Sequence, residues 1–197
     1  MAADTFLALA AFAFVTSITP GPNNFMLLAS GANFGFARTI PHMFGISAGF
    51  ASLLLGVGFG LGALLETWPA LHLALKVAGG GYLLYLAWKI ATNRSMGDAR
   101  AVSRPLSFLQ AAAFQWVNPK AWMMAVTAMI LFTDPATPRF SVVLVAVAFV
   151  LVNLPSVSVW TGFGTVLKRV LSSPDRLKWF NIAMGVLLAA TLFPMVR

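Results

Sequence analysis

Two short polar segments interrupt long apolar stretches of the chain, and they hold most of the residues that could bind a ligand. The first, Thr19 to Asn24, reads Thr-Pro-Gly-Pro-Asn-Asn, and the second, Gln115 to Ala121, reads Gln-Trp-Val-Asn-Pro-Lys-Ala. Side-chain amides donate and accept hydrogen bonds, and a lysine amine carries a positive charge with three donors. Such groups can bind a carboxylate and an ammonium. The candidate binding residues are Pro20, Gly21, Pro22, Asn23, Asn24, Gln115, Asn118, Pro119 and Lys120.

The stretches around these segments are long and apolar enough to cross a lipid bilayer. Of the 197 residues, 59% are hydrophobic and only 9% are charged, whereas soluble domains carry about a quarter charged residues. A helix needs about 20 apolar residues to cross the hydrocarbon core, where an open strand edge is not tolerated. We therefore predict an all-α integral membrane protein with six spans, near residues 5–31, 41–65, 71–90, 108–132, 140–167 and 179–196.

A polar stretch near the midpoint divides the predicted spans into two groups of three. We assign residues 1–91 to the first group, 92–106 to a cytoplasmic linker and 107–197 to the second group. Because each group has an odd number of spans, the second must lie upside down relative to the first, as in an inverted repeat. A shift of 99 residues places Pro20 of span one on Pro119 of span four.

The distribution of basic residues predicts how the spans are oriented. Cytoplasmic ends of spans are enriched in Lys and Arg, and the bias here predicts that both termini lie outside the cytoplasm. The net charge of +8 resides between spans and not on one face, so no nucleic-acid partner is expected. The predicted cytoplasmic residues are Arg38, Lys89, Arg94, Arg100, Arg104, Lys168, Arg169, Arg176 and Lys178, and Arg139 and Arg197 lie on the other side.

Both polar segments should break the helices of their spans, one and four. Proline cannot continue a helix, and the half-helix after a break exposes amide N–H groups and the positive end of its dipole. In an inverted repeat the two breaks converge, so we expect helices starting at Asn23 and Ala121 to face one cavity beside Lys120. The carbonyl groups before Pro20 and Pro119 could bind an ammonium. A free amino acid carries both charges.

Each of these features also has a purely structural explanation. Prolines kink many membrane helices, and amides can simply bond across helices. A lysine near the centre of a span is costly, so two segments of this kind together favour a transport site. We interpret Asn153-Leu154-Pro155 as a kink, Trp160 as a residue near the membrane interface and Lys76 as reaching the headgroups. Small-residue pairs such as Gly45 with Gly49 indicate packing within one bundle, and would also permit a homo-oligomer.

The two segments together resemble the signature motifs of the lysine exporter (LysE) family of amino-acid efflux proteins. Gly35 to Arg38 and Leu75 to Leu86 are also similar, so the resemblance follows the chain in order. It implies export of amino acids across the inner membrane of a bacterium, driven by a proton gradient or the membrane potential. Because the chain has no phosphate-binding loop, ATP is not expected as the energy source. No cofactor is expected either.

The acidic residues bear on which amino acid would be carried. Because all of them are predicted at or beyond span ends, no carboxylate is expected at mid-membrane to pair with a cationic side chain. We therefore predict neutral substrates such as homoserine or threonine. Lys120 is the candidate for proton coupling, and its alternative role is a fixed positive charge for the substrate carboxylate. The acidic residues are Asp4, Glu66, Asp98, Asp134 and Asp175.

Other classes of function stay open at this point. A metal-ion, lipid-carrier or other small-solute exporter could share the architecture, although the spans lack the clustered carboxylates, imidazoles or thiolates that metal ions prefer. An intramembrane enzyme would need a nucleophile beside a base. The chain has no cysteine, and Ser30, Ser47 and Ser52 lack a visible partner. We therefore predict no catalytic residue, no metal ligand and no enzymatic activity.

Overall fold

The structure, a computed structural model, describes residues 3–61, 69–93, 104–171 and 173–193. Every regular element in these residues is helical, which confirms the all-α prediction. The helices are α1 (Ala3–Ile18), α2 (Pro22–Phe34), α3 (Phe36–Gly56), α4 (Pro69–Ala91), α5 (Phe108–Gln115), α6 (Pro119–Phe132), α7 (Pro138–Val170) and α8 (Pro174–Ala190).

Some of the predicted features fall outside the described residues. Most of the predicted linker, 92–106, belongs to this group, and the side chain of Lys76 is likewise not described. The charged residues that lie outside the described ranges are Glu66, Arg94, Asp98, Arg100 and Arg197.

Three stretches of the described chain have the length and apolar character of membrane spans. α3 with the wide turn that follows it (Phe36–Leu61) and α7 (Pro138–Val170) each qualify alone. α1 and α2 qualify together, because they form one apolar unit bent by 57° at the break between them. α6 (Pro119–Phe132) is a shorter apolar helix. The described residues thus give two or three candidate spans, and the count of six stays a prediction.

The long helices α3 and α7 form the centre of the bundle, and each packs on one broken helix pair. α1 and α2 pack along α7, α5 and α6 pack along α3, α3 also contacts α7, and α4 packs on α8. An apolar cluster that includes Leu9, Phe50, Ala125 and Phe149 joins α1, α3, α6 and α7. A second apolar cluster, from α2, α4, α5 and α8, includes Met26, Leu83, Phe114 and Leu188. The broken pairs are therefore held between two apolar cores.

Glycines allow the helices to cross at very short distances. A Cβ atom added to Gly31 of α2 would lie 2.3 Å from the carbonyl oxygen of Thr161 in α7, and one added to Gly164 would lie 2.2 Å from the carbonyl oxygen of Leu28. Small residues permit this close backbone contact inside membranes, where packing replaces the hydrophobic effect. The crossing therefore fixes the second half of α2 against α7.

The glycine pair of span two makes the equivalent contact with the second broken helix. A Cβ added to Gly45 would lie 2.4 Å from the carbonyl oxygen of Phe108, and one added to Gly49 would lie 2.5 Å from that of Ala112. Both partners belong to α5. The prediction that this pair serves packing within the bundle is confirmed.

Candidate functional site

The first break separates α1 from α2, and a side chain binds the carbonyl groups at its edge. α1 ends at Ile18, α2 begins at Pro22, and Gly21 between them is fully extended. The Nδ2 of Asn24 donates to the carbonyl oxygens of Ser17 at 2.9 Å and of Thr19 at 2.7 Å. Carbonyl groups that the prolines free from the helix ladder must find such partners inside a membrane. One buried amide side chain thus secures the end of α1.

Trp160 of α7 also binds the end of α1. Its Nε1 donates to the carbonyl oxygen of Ile18 at 3.0 Å. Tryptophan is common at membrane interfaces because its ring is apolar and its N–H is polar, but here that N–H caps a broken helix inside the bundle. Trp160 therefore caps the first break, and its position near the membrane interface stays a prediction.

The second break lies between α5 and α6 and is built from a different set of groups. α5 begins with a capping box between Ser107 and Gln110 and ends at Gln115. Asn118 precedes α6, and its side-chain oxygen accepts a hydrogen bond from the backbone N–H of Lys120 at 3.2 Å. Pro119 occupies the first turn, where its missing N–H costs nothing.

Both new helices begin slightly earlier than expected. The sequence analysis placed their starts at Asn23 and Ala121, whereas the structure places them at Pro22 and Pro119. The physical reason is the same at both breaks: the proline ring fixes φ near the helical value, so proline favours the first helical position. The breaks themselves are confirmed.

The two breaks meet, although about a hundred residues separate them in the chain. The amide side chains of Asn23 and Gln115 donate to each other, at 2.8 Å and 3.1 Å. The Nζ of Lys120 donates to the carbonyl oxygen of Thr19 at 2.7 Å and to its hydroxyl at 2.9 Å, and it lies 3.4 Å from the carbonyl oxygen of Pro20. Polar groups from each break thus satisfy those of the other.

A cavity lies at this meeting point, which we call the central cavity. It encloses about 380 Å³ with its open mouth included, and helices α1, α2, α3, α5, α6 and α7 all contribute to its wall. Pro20 and Pro119 do not line it; their role is to break the helices. The residues that line it are Thr16, Ser17, Gly21, Pro22, Asn23, Asn24, Ile46, Phe50, Gln115, Asn118, Lys120, Ala121, Met124, Asn153 and Val157.

The electrostatics of the central cavity favour an anion near the start of α2. No side chain caps this helix start, and Gly21 to Asn24 line the cavity, so uncapped N–H groups and the positive end of the helix dipole lie at its wall. Lys120 is half-buried beside it, and a Cβ added to Gly21 would lie 3.2 Å from the Lys120 Nζ. No acidic residue lines the cavity within the part of the chain that the structure describes. A carboxylate would find two positive partners here.

The sequence analysis missed several wall residues, most clearly Asn153. α7 runs through Pro155 without ending, and the Asn153 side chain points into the cavity wall. Its Oδ1 accepts from the hydroxyl of Ser47 at 2.9 Å, and its Nδ2 donates to that of Ser17 at 3.4 Å. The interpretation of Asn153 as a kink residue was therefore incomplete. An amide inside an apolar span was the signal that could have found it.

Comparison with known proteins identifies the family of this chain. A family model described as LysE type translocator matches residues 14–193. The curated relatives include proteins named cysteine/O-acetylserine efflux protein from Escherichia coli (strain K12) and Shigella flexneri serotype 5b (strain 8401), each 34% identical over 181 residues, which are 90% of this chain and 90% of the relative. No solved structure matches the chain significantly. The chain therefore belongs to the LysE type translocator family of membrane transporters.

Proposed function

We propose that this chain exports small neutral amino acids from the bacterial cytoplasm, and that the central cavity binds them. One observation carries the proposal: the Lys120 amine lies beside the uncapped start of α2, in a cavity wall without an acidic residue. Helix starts and amines bind carboxylates. Membership in a family of amino-acid efflux transporters supports the same assignment.

The zwitterion would bind by exchanging partners with the protein. In this structure the Lys120 amine donates hydrogen bonds to the carbonyl oxygens of Thr19 and Pro20. We expect the substrate carboxylate to accept hydrogen bonds from the Lys120 amine and from the N–H groups at the start of α2. The released carbonyl oxygens can then accept the substrate ammonium. Each broken hydrogen bond is replaced by one of similar strength, so the exchange need not be costly.

The remaining cavity wall favours a small, uncharged side chain. Ile46, Phe50 and Val157 provide an apolar surface, and the hydroxyl of Ser17 and the amide of Asn153 provide a few polar atoms. No acidic residue is present there to neutralise a lysine or arginine substrate. We therefore propose homoserine, threonine or similar amino acids. The relatives' names, cysteine/O-acetylserine efflux protein, refer to substrates of the same size and charge class.

The helix contacts support two inverted halves, 1–91 and 107–197, joined by a cytoplasmic linker. Exchanging the halves would exchange α1–α2 with α5–α6, α3 with α7, and α4 with α8. The most extensive contacts follow this exchange, because α1–α2 packs on α7 as α5–α6 packs on α3, while α3 with α7 and α4 with α8 pair with each other. The smaller contacts of α2 with α4 and α8 do not follow it. We propose six spans, both termini outside the cytoplasm, and access that alternates by rocking one half against the other.

The energy source is the proton gradient or the membrane potential. Among the described residues that line the cavity, Lys120 is the only one with an ionisable side chain. If a proton is coupled to export, this amine is the group that exchanges it as its partner changes from carbonyl oxygens to a carboxylate. Lys120 would otherwise act as a fixed positive charge, and export would then respond to the membrane potential alone.

Counterflow in proteoliposomes tests the proposed function. The purified full chain is reconstituted with an unlabelled amino acid inside, and uptake of labelled neutral, acidic and basic amino acids is followed. We expect transient accumulation of small neutral amino acids, with the Lys120→Gln variant close to empty vesicles. Lys168→Gln is the matched control, because Lys168 is exposed on α7 away from the central cavity. Uptake equal to that of empty vesicles for every amino acid would overturn the proposal.

A further inference from the structure

A second cavity lies next to the central one, on the side where the sequence analysis places the cytoplasm. It encloses about 500 Å³ with its mouth included, and it is bounded by α2, α3, α4 and the residues that precede α5. We call it the access cavity. Its polar lining includes Ser30, Asn33, His42, Lys89 and Arg104. None of the described residues that line it is acidic.

His42 is the unusual member of this wall. Its side chain is only 1% exposed, and neither ring nitrogen has a hydrogen-bond partner in the structure. A neutral imidazole offers one donor and one acceptor, and leaving both unpaired in a buried position is costly. A buried polar ring of this kind on a cavity wall indicates a ligand that supplies the missing partners.

The other polar groups of the wall are of two kinds. Some are hydrogen-bonded to other protein side chains, and the cations have no acidic partner among the described residues. Ser30 shares a hydrogen bond with Thr39 at 2.8 Å, and the Asn33 amide exchanges hydrogen bonds with Asn181 at 2.8 Å and 3.0 Å. Lys89 is half-buried in the last turn of α4 and Arg104 is exposed, and within the described residues neither has an acidic partner. Two cations and an imidazole are thus available to an anionic ligand that also has a hydrogen-bonding group.

The access cavity and the central cavity share two helices. Asn23 and Asn33 of α2 are ten residues apart, a rise of about 15 Å along the helix. On α3, His42 lines the access cavity and Ile46, one turn further, lines the central cavity. Met26, which is buried in an apolar cluster, forms part of the wall on the side toward the break. A ligand leaving one cavity would therefore reach the other past a short apolar layer.

We propose that the access cavity binds the substrate amino acid before it enters the central cavity, with Lys89 and Arg104 binding its carboxylate. His42 supplies an acceptor for the ammonium or a donor for a polar side chain. This proposal rests on the proposed function, because it assigns to the same substrate a second, earlier binding step. Two sequential sites would allow the substrate to be selected before the breaks rearrange.

Thiol labelling tests this proposal, since the chain has no cysteine of its own. Ile90 lines the access cavity and is half-buried, so Ile90→Cys introduces a single reporter thiol. Val170→Cys is the control, because Val170 is exposed outside the cavity. Both full-length variants are labelled with a small charged thiol reagent in vesicles of zwitterionic lipid. The probes are O-acetyl-L-serine, L-threonine and the amide of L-threonine, which lacks the carboxylate.

We expect either amino acid to slow labelling at position 90 and not at position 170, while the amide has no effect. Adding Lys89→Gln should raise the amino-acid concentration needed to slow labelling at position 90 about tenfold or more, because a charge-assisted hydrogen bond to the carboxylate is lost. Adding Lys120→Gln should leave it unchanged. Equal protection by the amide, no shift with Lys89→Gln, or protection by anionic lipid alone would overturn the access site.

A second variant separates binding from structure. Replacing an unpaired buried polar ring by an apolar side chain is neutral or stabilising, so His42→Leu should keep or raise the unfolding temperature of the ligand-free protein. It should nevertheless weaken protection at position 90 several-fold. Unchanged protection would overturn the role of His42. Counterflow without protection would overturn the access site alone, whereas protection without counterflow would overturn the proposed function and leave a carboxylate site here.

Discussion

The amine of Lys120 lies 2.7 Å from the carbonyl oxygen of Thr19, 101 residues earlier in the chain. This contact joins the start of α6 to the end of α1, so the two broken helices form one unit. A lysine so deep in an apolar bundle is costly without a partner. Here the partners are carbonyl oxygens that a substrate ammonium could also bind. The substrate ammonium can therefore replace the Lys120 amine at these oxygens.

Removal of the Lys120 charge should abolish most transport. A hydrogen bond to a charged group contributes about 1.5 to 3 kcal/mol, so Lys120→Gln should weaken substrate binding in the central cavity about ten- to a hundredfold. Lys120→Arg should retain part of the binding, because the positive charge remains. Equilibrium binding of a labelled neutral amino acid to the purified protein in detergent measures both effects, with Lys168→Gln as control. Binding by Lys120→Gln equal to wild type would contradict the assignment.

The same variant separates the two roles of Lys120. If the amine exchanges the coupled proton, Lys120→Gln should lose the dependence of residual export on an imposed pH gradient. Export rates in vesicles with and without that gradient give the answer. Residual export that still follows the pH gradient would place the coupling group elsewhere and leave Lys120 as a fixed charge.

Gly21→Ala should impair transport with little effect on stability. Gly21 is extended, a conformation that any residue adopts, so the substitution acts through contact alone. The new Cβ would lie 2.8 Å from the Lys120 Cδ, and the flexible lysine side chain would have to move away. Gly162→Ala is the matched control, since a Cβ there has nothing within 4 Å. Equal counterflow rates for the two variants would show that the position of Lys120 is unimportant.

Asn23 and Gln115 should behave as a coupled pair. Their amides exchange two hydrogen bonds between the breaks, and hydrogen bonds between membrane helices average about 0.6 kcal/mol and reach about 1.7 kcal/mol. Asn23→Ala and Gln115→Ala should each destabilise the protein, and the double variant by less than their sum. Denaturant unfolding in mixed micelles measures this cycle. Strict additivity would mean that the pair is not formed in the folded protein.

Substrate selection should follow the charge of the side chain. With no carboxylate in the central cavity wall, a lysine or arginine side chain would bring an unpaired charge near Lys120. We expect neutral amino acids to compete strongly for counterflow and lysine or arginine to compete weakly. Transport that prefers lysine or arginine would contradict the proposed substrate class.

The breaks themselves could be predicted from the sequence because proline acts locally. A proline removes a backbone N–H and clashes with the preceding turn, so Pro20, Pro22 and Pro119 indicate both interruptions without any tertiary contact, although α7 continues through Pro155. The close crossing at Gly45 and Gly49 was visible for a similar reason, since the spacing of small residues reports packing directly. The starts of the new helices differed by only one or two residues.

The partners of the polar groups could not be predicted in the same way. The pairing of Asn23 with Gln115 and the capping of Ile18 by Trp160 depend on which helices meet, and no local pattern encodes that. The residues around Trp160 give no sign that its N–H binds the end of another helix. Asn153 was read together with the proline that follows it, which hid its place in the cavity wall.

Recognition of both charged ends of the substrate is the central claim, and competition by analogues tests it most directly. Counterflow of a labelled neutral amino acid is measured with wild type against the unlabelled amino acid, its carboxyamide and its deaminated acid. We predict that only the intact zwitterion competes well, because the start of α2 and Lys120 require the carboxylate and the carbonyl oxygens of Thr19 and Pro20 require the ammonium. Equal competition by all three compounds would contradict the account.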